Sequence, residues 1–365
     1  MSKEKLEALI ETSIMRIEQL YKETNGKIVL SFSGGKDSTV VAELYLMAKK
    51  QGRVGHIPLV FADTQVEYEA IYEFVDWFNK NKQEVIFLKP RKPFSQVLKE
   101  YGKPTVSKVK SDFLSTYQSF LRQGKDVLKG KRTSELITGY RTHDVTFEPR
   151  VDENGKKEVT RQALANKHFQ FLYPELEYKI SSKCCDYLKK YPFEDYYLEN
   201  DTEGYITGMR KEEGGVRAEM YKKCTSVKKI KGRNITNLMP IFFWKEEDVD
   251  NFIEIYNIKI SKAYTKYGLA RTGCIGCPFA RDITSNLKAL YDYEPNKYKA
   301  VQKWLGDVYR DLLVELPFDE EYTKKLNDRI PIVKKRRWEM LKKYRPTKAQ
   351  KWEPKTDLFN YNKKK

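Results

Sequence analysis

The stretch SFSGGKDST, residues 31–39, lies between a short apolar run at 27–32 (KIVLSF) and a segment at 38–50 whose apolar residues recur at helical spacing. This order predicts a strand, a tight turn and a helix. In a parallel sheet such a turn lies at the carboxyl edge, where open α/β folds bind ligands. Two glycines let successive backbone N–H groups point at one anion, and the start of the helix adds positive potential. The stretch therefore predicts a phosphate-binding loop.

The loop departs from the common pattern GxxxxGK[ST], because Lys36 is followed by Asp37 and no glycine stands five residues before Gly35. A carboxylate beside a phosphate would repel it, unless Asp37 caps the helix or holds a magnesium ion that the phosphates share. A glycine turn with an ordinary helix cap is the simpler alternative. The candidate nucleotide-binding residues of the loop are Ser31, Ser33, Gly34, Gly35, Lys36, Asp37, Ser38 and Thr39.

Further strand-like runs follow the loop. They occur at 58–62 (PLVFA) and 84–88 (EVIFL), with a helical pattern at 68–79 between them. Alternation of strands and helices predicts a parallel sheet with helices on both faces. Runs at 204–207 (GYIT) and 237–243 (NLMPIFF) supply two more strands. We therefore expect an α/β fold with a doubly wound, mainly parallel, five-stranded sheet.

The pattern along the chain also predicts its division into domains. We expect an N-terminal helix at 1–24 and a nucleotide-binding domain at 25–282 with an insertion near 123–160. A basic helical region at 283–365 completes the 365 residues, of which 40% are hydrophobic. That length and composition allow a full hydrophobic core.

The charge of the chain is strongly positive. Sixty-nine Lys and Arg residues against 51 Asp and Glu give a net charge of +18. Such a surplus favours polyanionic partners such as tRNA or DNA, although a basic protein can also simply be soluble. No apolar run approaches the roughly 18 residues of a membrane span, and the first residues form a charged amphipathic pattern unlike a signal peptide. We expect a cytoplasmic protein without membrane contact.

The five cysteines form two pairs and one single residue. Cys184 and Cys185 are adjacent, Cys274 and Cys277 form a CxxC motif, and Cys224 lies between the pairs. Cytosolic proteins seldom keep structural disulfides, so a CxxC motif indicates metal or redox chemistry. The two pairs could together supply four thiolates to one centre, and thiolate ligands favour zinc or an iron–sulfur cluster. Zinc sites commonly use a CxxC motif on both sides, and the adjacent pair Cys184 and Cys185 is not such a motif. A redox CxxC and unrelated buried cysteines are the alternatives.

Several motifs together resemble the phosphoadenosine phosphosulfate reductase family, within the N-type ATP pyrophosphatase (adenine nucleotide alpha-hydrolase, PP-loop) superfamily. They are SGGKDS at 33–38, KCCDYLKK at 183–190, TGMRKEEGGVRA at 207–218, MPIFFWKEEDVDNFI at 239–253 and GCIGCPF at 273–279. They occur in the family's order and cover most of residues 27–280. Members of the superfamily bind ATP, adenylylate a substrate and release pyrophosphate.

The resemblance implies a ligand set and roles for particular residues. ATP, or an adenylyl sulfonucleotide, is the expected ligand together with Mg²⁺. The expected ligands of a [4Fe-4S] cluster, with zinc less favoured, are Cys184, Cys185, Cys274 and Cys277. Further nucleotide-binding residues are Asp63, Gly208, Arg210 and Arg217. The expected catalytic residues are Lys36, Asp37 and Arg210, with Cys224 as the candidate sulfur-carrying thiol.

Two departures from the family favour one reaction over another. Reductases of the family use a nucleophilic cysteine in a C-terminal ECGxH pattern, whereas no cysteine follows Cys277 in this sequence. They also tend to carry an incomplete first loop, whereas the loop here is complete and suits ATP itself. We therefore expect an enzyme that adenylylates a substrate for sulfur transfer onto nucleic acid, as in tRNA thiolation or DNA phosphorothioation, with a sulfur-donor protein as a further partner. The alternatives are a genuine sulfonucleotide reductase that produces sulfite, and a nucleotide-sensing nucleic-acid-binding protein without turnover.

Overall fold

The structure of the protein is a computed structural model. It describes residues 3–124, 150–151, 157–158, 176–213 and 223–344. Most of the expected insertion near 123–160, Arg217 and the basic segment after residue 344 lie outside the described residues.

The centre of the fold is a six-stranded sheet with the order β3-β2-β1-β6-β8-β7. Neighbouring strands are parallel except β7 and β8, which are antiparallel. A separate antiparallel pair, β4 and β5, lies within the expected insertion. The strands are β1 (Ile28–Ser31), β2 (Leu59–Ala62), β3 (Val85–Leu88), β4 (Arg150–Val151), β5 (Lys157–Glu158), β6 (Gly204–Ile206), β7 (Thr225–Ile230) and β8 (Arg233–Leu238).

Helices connect the strands and make up the described C-terminal part of the chain. They are α1 (Lys3–Glu23), α2 (Lys36–Lys50), α3 (Glu69–Asn81), α4 (Phe94–Tyr101), α5 (Lys108–Arg122), α6 (Lys183–Cys185), α7 (Tyr191–Glu199), α8 (Glu246–Ile255), α9 (Lys262–Thr265), α10 (Ile283–Tyr293), α11 (Pro295–Asp311) and α12 (Glu320–Tyr344). A π-helical turn, Asp186–Lys190, joins α6 to α7, and a 3₁₀ turn, Lys211–Glu213, follows β6. Within the described residues, no helix is both long and apolar enough to cross a membrane.

Helices lie on both faces of the sheet. On one face, Tyr197 of α7 packs against Val29 and Val60, and its ring stacks on Tyr205 with centroids 5.1 Å apart. On the other face, the ring of Phe32 lies 4.6 Å from that of Phe78 in α3. The expected α/β class, the mainly parallel sheet and the helical C-terminal region are therefore confirmed.

The strand count and one strand position differ from the expectation. The sheet has six strands rather than five, because the edge strand β7, with its alternating exposed and half-buried residues, was missed. The strand expected at 237–243 was misplaced, since β8 ends at Leu238. Pro240 lacks a backbone donor, and the chain turns there with the Phe242 N–H donating to the Met239 carbonyl at 3.1 Å.

The chain divides into two compact units. The first contains the six-stranded sheet and comprises Met1–Glu100, Lys183–Ala280 and Ser285–Ala300. The second comprises Tyr101–Ser182, Arg281–Thr284 and Val301–Lys365. The domain limits drawn from the sequence stay a prediction.

Inside the second unit, polar contacts join distant segments. The Gln118 side chain donates to the Tyr178 carbonyl and accepts from the Ile180 N–H, at 3.1 and 2.9 Å. Asp311 accepts from Arg329 at 2.7 Å. These bonds fasten α5 and α12 within that unit.

The turn between β1 and α2 requires glycine for two reasons. Gly34 has a φ of +67°, in the left-handed region that side chains with a Cβ rarely adopt. A Cβ at Gly34 would also lie 2.8 Å from Cγ2 of Val75 in α3. The turn thus packs directly against the neighbouring helix.

We predict that Gly34→Ala lowers the free energy of unfolding by about 2 to 4 kcal/mol, through backbone strain and overpacking together. The matched control is Gly52→Ala, where φ is +70° but no atom lies within 4 Å of the added Cβ. That variant should lose only about 1 kcal/mol. Urea unfolding of both variants provides the measurement, and equal losses would contradict a tight contact at Gly34.

Candidate functional site

The candidate phosphate-binding loop is held in shape by its own serines. The hydroxyl of Ser38 accepts from the Ser33 N–H at 3.2 Å and donates to the Gly35 carbonyl at 2.9 Å. The hydroxyls of Ser33 and Ser38 lie 2.9 Å apart. Helix α2 begins at Lys36, at the carboxyl end of β1. The loop therefore lies where the sequence predicts it, at the edge of the sheet and the start of a helix.

Gly208 lets the segment after β6 approach this loop. A Cβ at Gly208 would lie 2.8 Å from the backbone of Asp37 and Ser38. Since those atoms are backbone, they could not move aside at low cost. Gly208, expected as a nucleotide-binding residue, is thus a contact residue between two loops of the same sheet edge.

Arg210 joins the two loops through its charge. Its side chain is 2% exposed, and its Nε donates to the carboxylate of Asp37 at 2.8 Å. It also forms ion pairs with Glu212, at 3.2 Å, and with Glu246. The cap residue of α2 is Gly35, so Asp37 does not cap the helix. Two of the expected catalytic residues, Asp37 and Arg210, are therefore in direct contact.

Lys36 is also paired with carboxylates. Its Nζ donates to Asp250 at 2.8 Å and to Glu246. Burial opposes the charge of Lys36, but hydrogen bonds with Asp250 and Glu246 raise its pKa overall. Burial likewise opposes the charge of Glu246, but Lys36 and Arg210 lower its pKa overall. Both groups are therefore charged at neutral pH.

Sequence reasoning missed the carboxylates at the start of α8. Glu246 lies in a segment for which no chemistry was expected from the sequence, yet its carboxylate contacts both Lys36 and Arg210. A signal was present, because the acidic triplet at 246–248 follows β8 at the edge where the parallel strands end. Acidic groups also favour a helix N-terminus.

The end of β2 carries Asp63, where the family resemblance implies contact with the adenosine. Its Oδ1 accepts from the Gln65 N–H at 3.1 Å and from the Tyr72 hydroxyl at 2.8 Å. Burial and the Asp63 charge raise the pKa of Tyr72. Asp63 therefore lies at the same sheet edge as the phosphate-binding loop, with its carboxylate oriented by neighbours.

The two cysteine pairs lie close together. A hydrogen bond with Cys185, and burial, raise the pKa of Cys184, and the charges of Cys277 and Cys274 add to this effect. Burial raises the pKa of Cys274 to about 11 and also raises that of Cys277. All five cysteines are free thiols. The segments that carry the two pairs meet at Glu67, which contacts both Lys189 and Cys274.

An ion pair between a half-exposed lysine and a buried glutamate borders these thiols. The ammonium of Lys189 lies 3.0 Å from Oε1 of Glu67, and Cys274 Sγ donates to the same oxygen at 4.0 Å. The Thr64 hydroxyl also donates to it, at 3.0 Å. Burial would lower the pKa of Lys189, but the charges of Cys274 and Glu67 raise it. A positive charge therefore faces the thiols.

The donor chemistry of this centre fits an iron–sulfur cluster. Four thiols on two segments, with a cation beside them, suit the thiolates and net negative charge of a [4Fe-4S] cluster. Among the residues that the structure describes, no group of three or more His, Cys, Asp or Glu side chains is arranged as a metal site. The cluster is therefore a proposal supported by the identity and proximity of the thiols.

Hydrogen bonds tie the CxxC segment to the two loops expected to bind the nucleotide. The Lys36 N–H donates to the hydroxyl of Tyr264 at 2.9 Å, and that hydroxyl lies 3.0 Å from the hydroxyl of Thr272. The Ile275 N–H donates to the Val66 carbonyl at 2.7 Å. The loop after β1 and the loop after β2 thus each contact the segment that carries Cys274 and Cys277.

Cys224 lies apart from the two pairs in sequence but at the same edge of the sheet. Its carbonyl accepts from the Met239 N–H at 2.7 Å, and Thr225 pairs with Leu238 at the carboxyl end of β8. Because β7 is antiparallel to β8, the start of β7 lies where the parallel strands end. Cys224 is therefore placed on the loop side of the sheet.

Comparison with known proteins identifies a family. The family model of the phosphoadenosine phosphosulfate reductase domain matches residues 27–149 and 148–280. The chain is also 24% identical over 309 residues to an uncharacterised protein of Methanocaldococcus jannaschii, covering 84% of this chain and 55% of that protein. The chain thus spans about half the length of that relative.

Three solved structures are distantly similar to the chain. The phosphoadenylyl-sulfate reductase of Candida auris is 13% identical and covers 75% of this chain and 96% of its own, with a TM-score of 0.40. An FMN adenylyltransferase of Candida glabrata is 14% identical, and the match covers 74% of this chain and 63% of that chain with a TM-score of 0.41. A U34-tRNA thiolase of Methanococcus maripaludis with its [4Fe-4S] cluster is 15% identical, and the match covers 83% of this chain and 80% of that chain with a TM-score of 0.31. At identities and TM-scores this low, the three structures carry no functional argument.

We predict that Arg210→Met lowers the free energy of unfolding by about 2 kcal/mol or more, because it leaves Asp37 and Glu246 without their buried partner. The control is Arg91→Met, since Arg91 pairs with Asp195 but is 40% exposed. That loss should stay below about 1 kcal/mol. Urea unfolding at neutral pH gives both values.

The pH dependence of the stability difference between the wild type and Arg210→Met provides a further check. The folded-state pKa of Glu246 lies below its ordinary value of 4.5, so its stabilising contribution is present above that pH and is lost as the pH falls through the folded-state pKa. The difference between the wild type and Arg210→Met should therefore narrow in acid. A difference independent of pH would contradict the assignment of these ion pairs.

Proposed function

Because the chain belongs to the phosphoadenosine phosphosulfate reductase domain family, we propose that it is an enzyme that binds ATP, releases pyrophosphate and adenylylates a substrate for sulfur transfer. The observation that carries the proposal is the complete SGGKDS loop at the start of α2, with Lys36 and Arg210 beside it. An intact loop and two cations suit the phosphates of ATP.

In the first step, an oxygen of the substrate attacks the α-phosphorus of ATP. The bond between the α-phosphorus and the bridging oxygen of the β-phosphate breaks, and pyrophosphate leaves with the bonding electrons. The loop N–H groups, Lys36 and Arg210 would neutralise the charge that develops on the leaving pyrophosphate. Asp37 would contribute to holding the Mg²⁺ that neutralises the phosphates.

In the second step, sulfur replaces the activated oxygen. Sulfide delivered by a sulfur-donor protein, or the outer sulfur of a persulfide on Cys224, attacks the adenylylated substrate, and AMP leaves with the oxygen. When the sulfur comes from the persulfide, the product is a disulfide between Cys224 and the substrate, and a thiol of the donor protein attacks the Cys224 sulfur and releases the thiolated substrate. We propose that Cys184, Cys185, Cys274 and Cys277 hold a [4Fe-4S] cluster, which would supply a site for sulfur or for electrons. Lys189 would offset negative charge beside the thiols.

Nucleic acid is the acceptor that we propose. The net charge of +18 favours a polyanion, and tRNA and DNA both offer oxygens that can be adenylylated and replaced by sulfur. Asp63 and Gly208, which we propose contact the nucleotide, lie at the sheet edge where the nucleic acid would meet ATP. Arg217 would add a second guanidinium for the phosphates.

A second candidate is reduction of a sulfonucleotide, favoured by the family match and by the placement of Cys224 at the loop edge of the sheet. In that reaction a thiolate attacks the sulfur of the sulfonucleotide and the nucleotide leaves. A second thiol from thioredoxin then releases sulfite and forms a disulfide. The complete loop favours ATP over this ligand.

We predict that the protein, assayed without oxygen with α-labelled ATP and Mg²⁺, forms AMP and pyrophosphate, and that tRNA or DNA increases the rate. Lys36→Met should lower kcat/KM by roughly 100-fold, because it removes charge stabilisation at the leaving pyrophosphate. Lys50→Met, which replaces an exposed lysine of the same helix, is the control and should retain activity.

Sulfite from a sulfonucleotide with thioredoxin, in place of AMP from ATP, would favour the reductase. ATP binding without either product would indicate a nucleotide sensor.

We also predict that anaerobic purification yields a brown protein with about four iron and four sulfide per chain. Replacing Cys184, Cys185, Cys274 or Cys277 by serine should remove most of the iron. Cys224→Ser is the matched control, since it should retain the iron and lose sulfur transfer only. A colourless protein that contains zinc would contradict the cluster.

A further inference from the structure

The two cations of the phosphate-binding site already have anionic partners within the protein. Glu246 contacts Lys36 and Arg210 at once, and it is the residue common to both sets of ion pairs. Asp250 contacts Lys36 alone, at 2.8 Å, and Glu212 contacts Arg210, at 3.2 Å. A carboxylate that bridges both cations occupies the position that a pyrophosphate group needs.

Exposure shows which of these groups faces the solvent. The side chains of Lys36 and Arg210 are 15% and 2% exposed, whereas that of Glu246 is 48% exposed. The cations therefore lie beneath the carboxylate. Of these three groups, Glu246 is the most accessible to a phosphate that arrives from solvent.

The backbone of α8 is fixed, although the Glu246 side chain is not enclosed. Trp244, just before the helix, is buried and donates its indole N–H to Ser13 at 3.1 Å. Val249 and Phe252 of the same helix are fully buried. Displacement of Glu246 thus requires rotation of a half-exposed side chain rather than movement of the helix.

We propose that Glu246 is an internal competitor that occupies the phosphate site of the ligand-free protein and is displaced by the pyrophosphate group of the nucleotide. The inference rests on the proposed function in one respect, since it takes Lys36 and Arg210 as phosphate-binding groups. An anion must replace Glu246 in both of its ion pairs, so an anion that contacts both cations binds more tightly than one that contacts a single cation. Glu246 is in this sense a specificity-determining residue for a diphosphate group.

The test is the affinity for inorganic pyrophosphate, measured by titration calorimetry in EDTA so that no divalent cation takes part. Glu246→Gln removes the competing charge and should lower the Kd by about tenfold. Asp250→Asn should lower it less, because, of the two cations, Asp250 contacts Lys36 and not Arg210 among the described contacts. Glu247→Gln removes the same charge at the next position of the same helix turn and should leave the Kd within about twofold.

Equal or weaker pyrophosphate binding by Glu246→Gln would overturn the inference. Equal binding would mean that Glu246 does not affect the affinity for pyrophosphate, and weaker binding would mean that Glu246 contributes to it. Should Glu246→Gln fail to fold, Glu246→Asp shortens the side chain by one methylene, and the same direction of change is expected. If the wild type binds pyrophosphate but forms no AMP from ATP, the proposed reaction is contradicted, while the competition between Glu246 and pyrophosphate can still be measured. Absence of pyrophosphate binding in every variant would contradict both.

Discussion

Arg210 places its buried guanidinium 2.8 Å from the carboxylate of Asp37 and also against Glu246. A buried cation without partners would be strongly destabilising, so these ion pairs hold three chain segments in one position. The segments are the end of β6, the first turn of α2 and the start of α8. Gly208 makes the contact possible, since a Cβ there would collide with the backbone of α2. The geometry of the candidate phosphate site depends on this arrangement.

A second set of contacts extends the arrangement to the cysteines. The hydroxyl of Tyr264 accepts the Lys36 N–H and lies within hydrogen-bond distance of Thr272, two residues before Cys274. If the cysteines hold a cluster and the loop holds ATP, the two would share one rigid edge of the sheet. A change at the cysteine segment could then alter the orientation of the first N–H groups of α2, which would face the phosphates.

The sequence indicated the local parts of this site more reliably than the long-range ones. The loop at 31–39 was predictable because glycines, an apolar strand and a helical pattern are adjacent in the chain. The strand expected at 237–243 was misplaced because the apolar run continues past Pro240, where the backbone turns. The acidic triplet at 246–248 indicates an anionic helix start, but it does not identify the partner of Glu246. Lys36 is 210 positions away in the sequence, and an ion pair between such distant residues leaves no local pattern. A shared centre of four thiolates was expected from the two cysteine pairs themselves, and the family resemblance added the expectation of a [4Fe-4S] cluster.

The central claim is that phosphates of ATP replace carboxylates on Lys36 and Arg210. A crystal structure with an ATP analogue that cannot be cleaved between the α- and β-phosphates tests it most directly. We predict β- and γ-phosphate oxygens within hydrogen-bond distance of both cations, with the Glu246 carboxylate rotated away. A bound analogue with Lys36 still paired to Glu246 and Asp250, or with its phosphates away from the 33–38 loop, would contradict it.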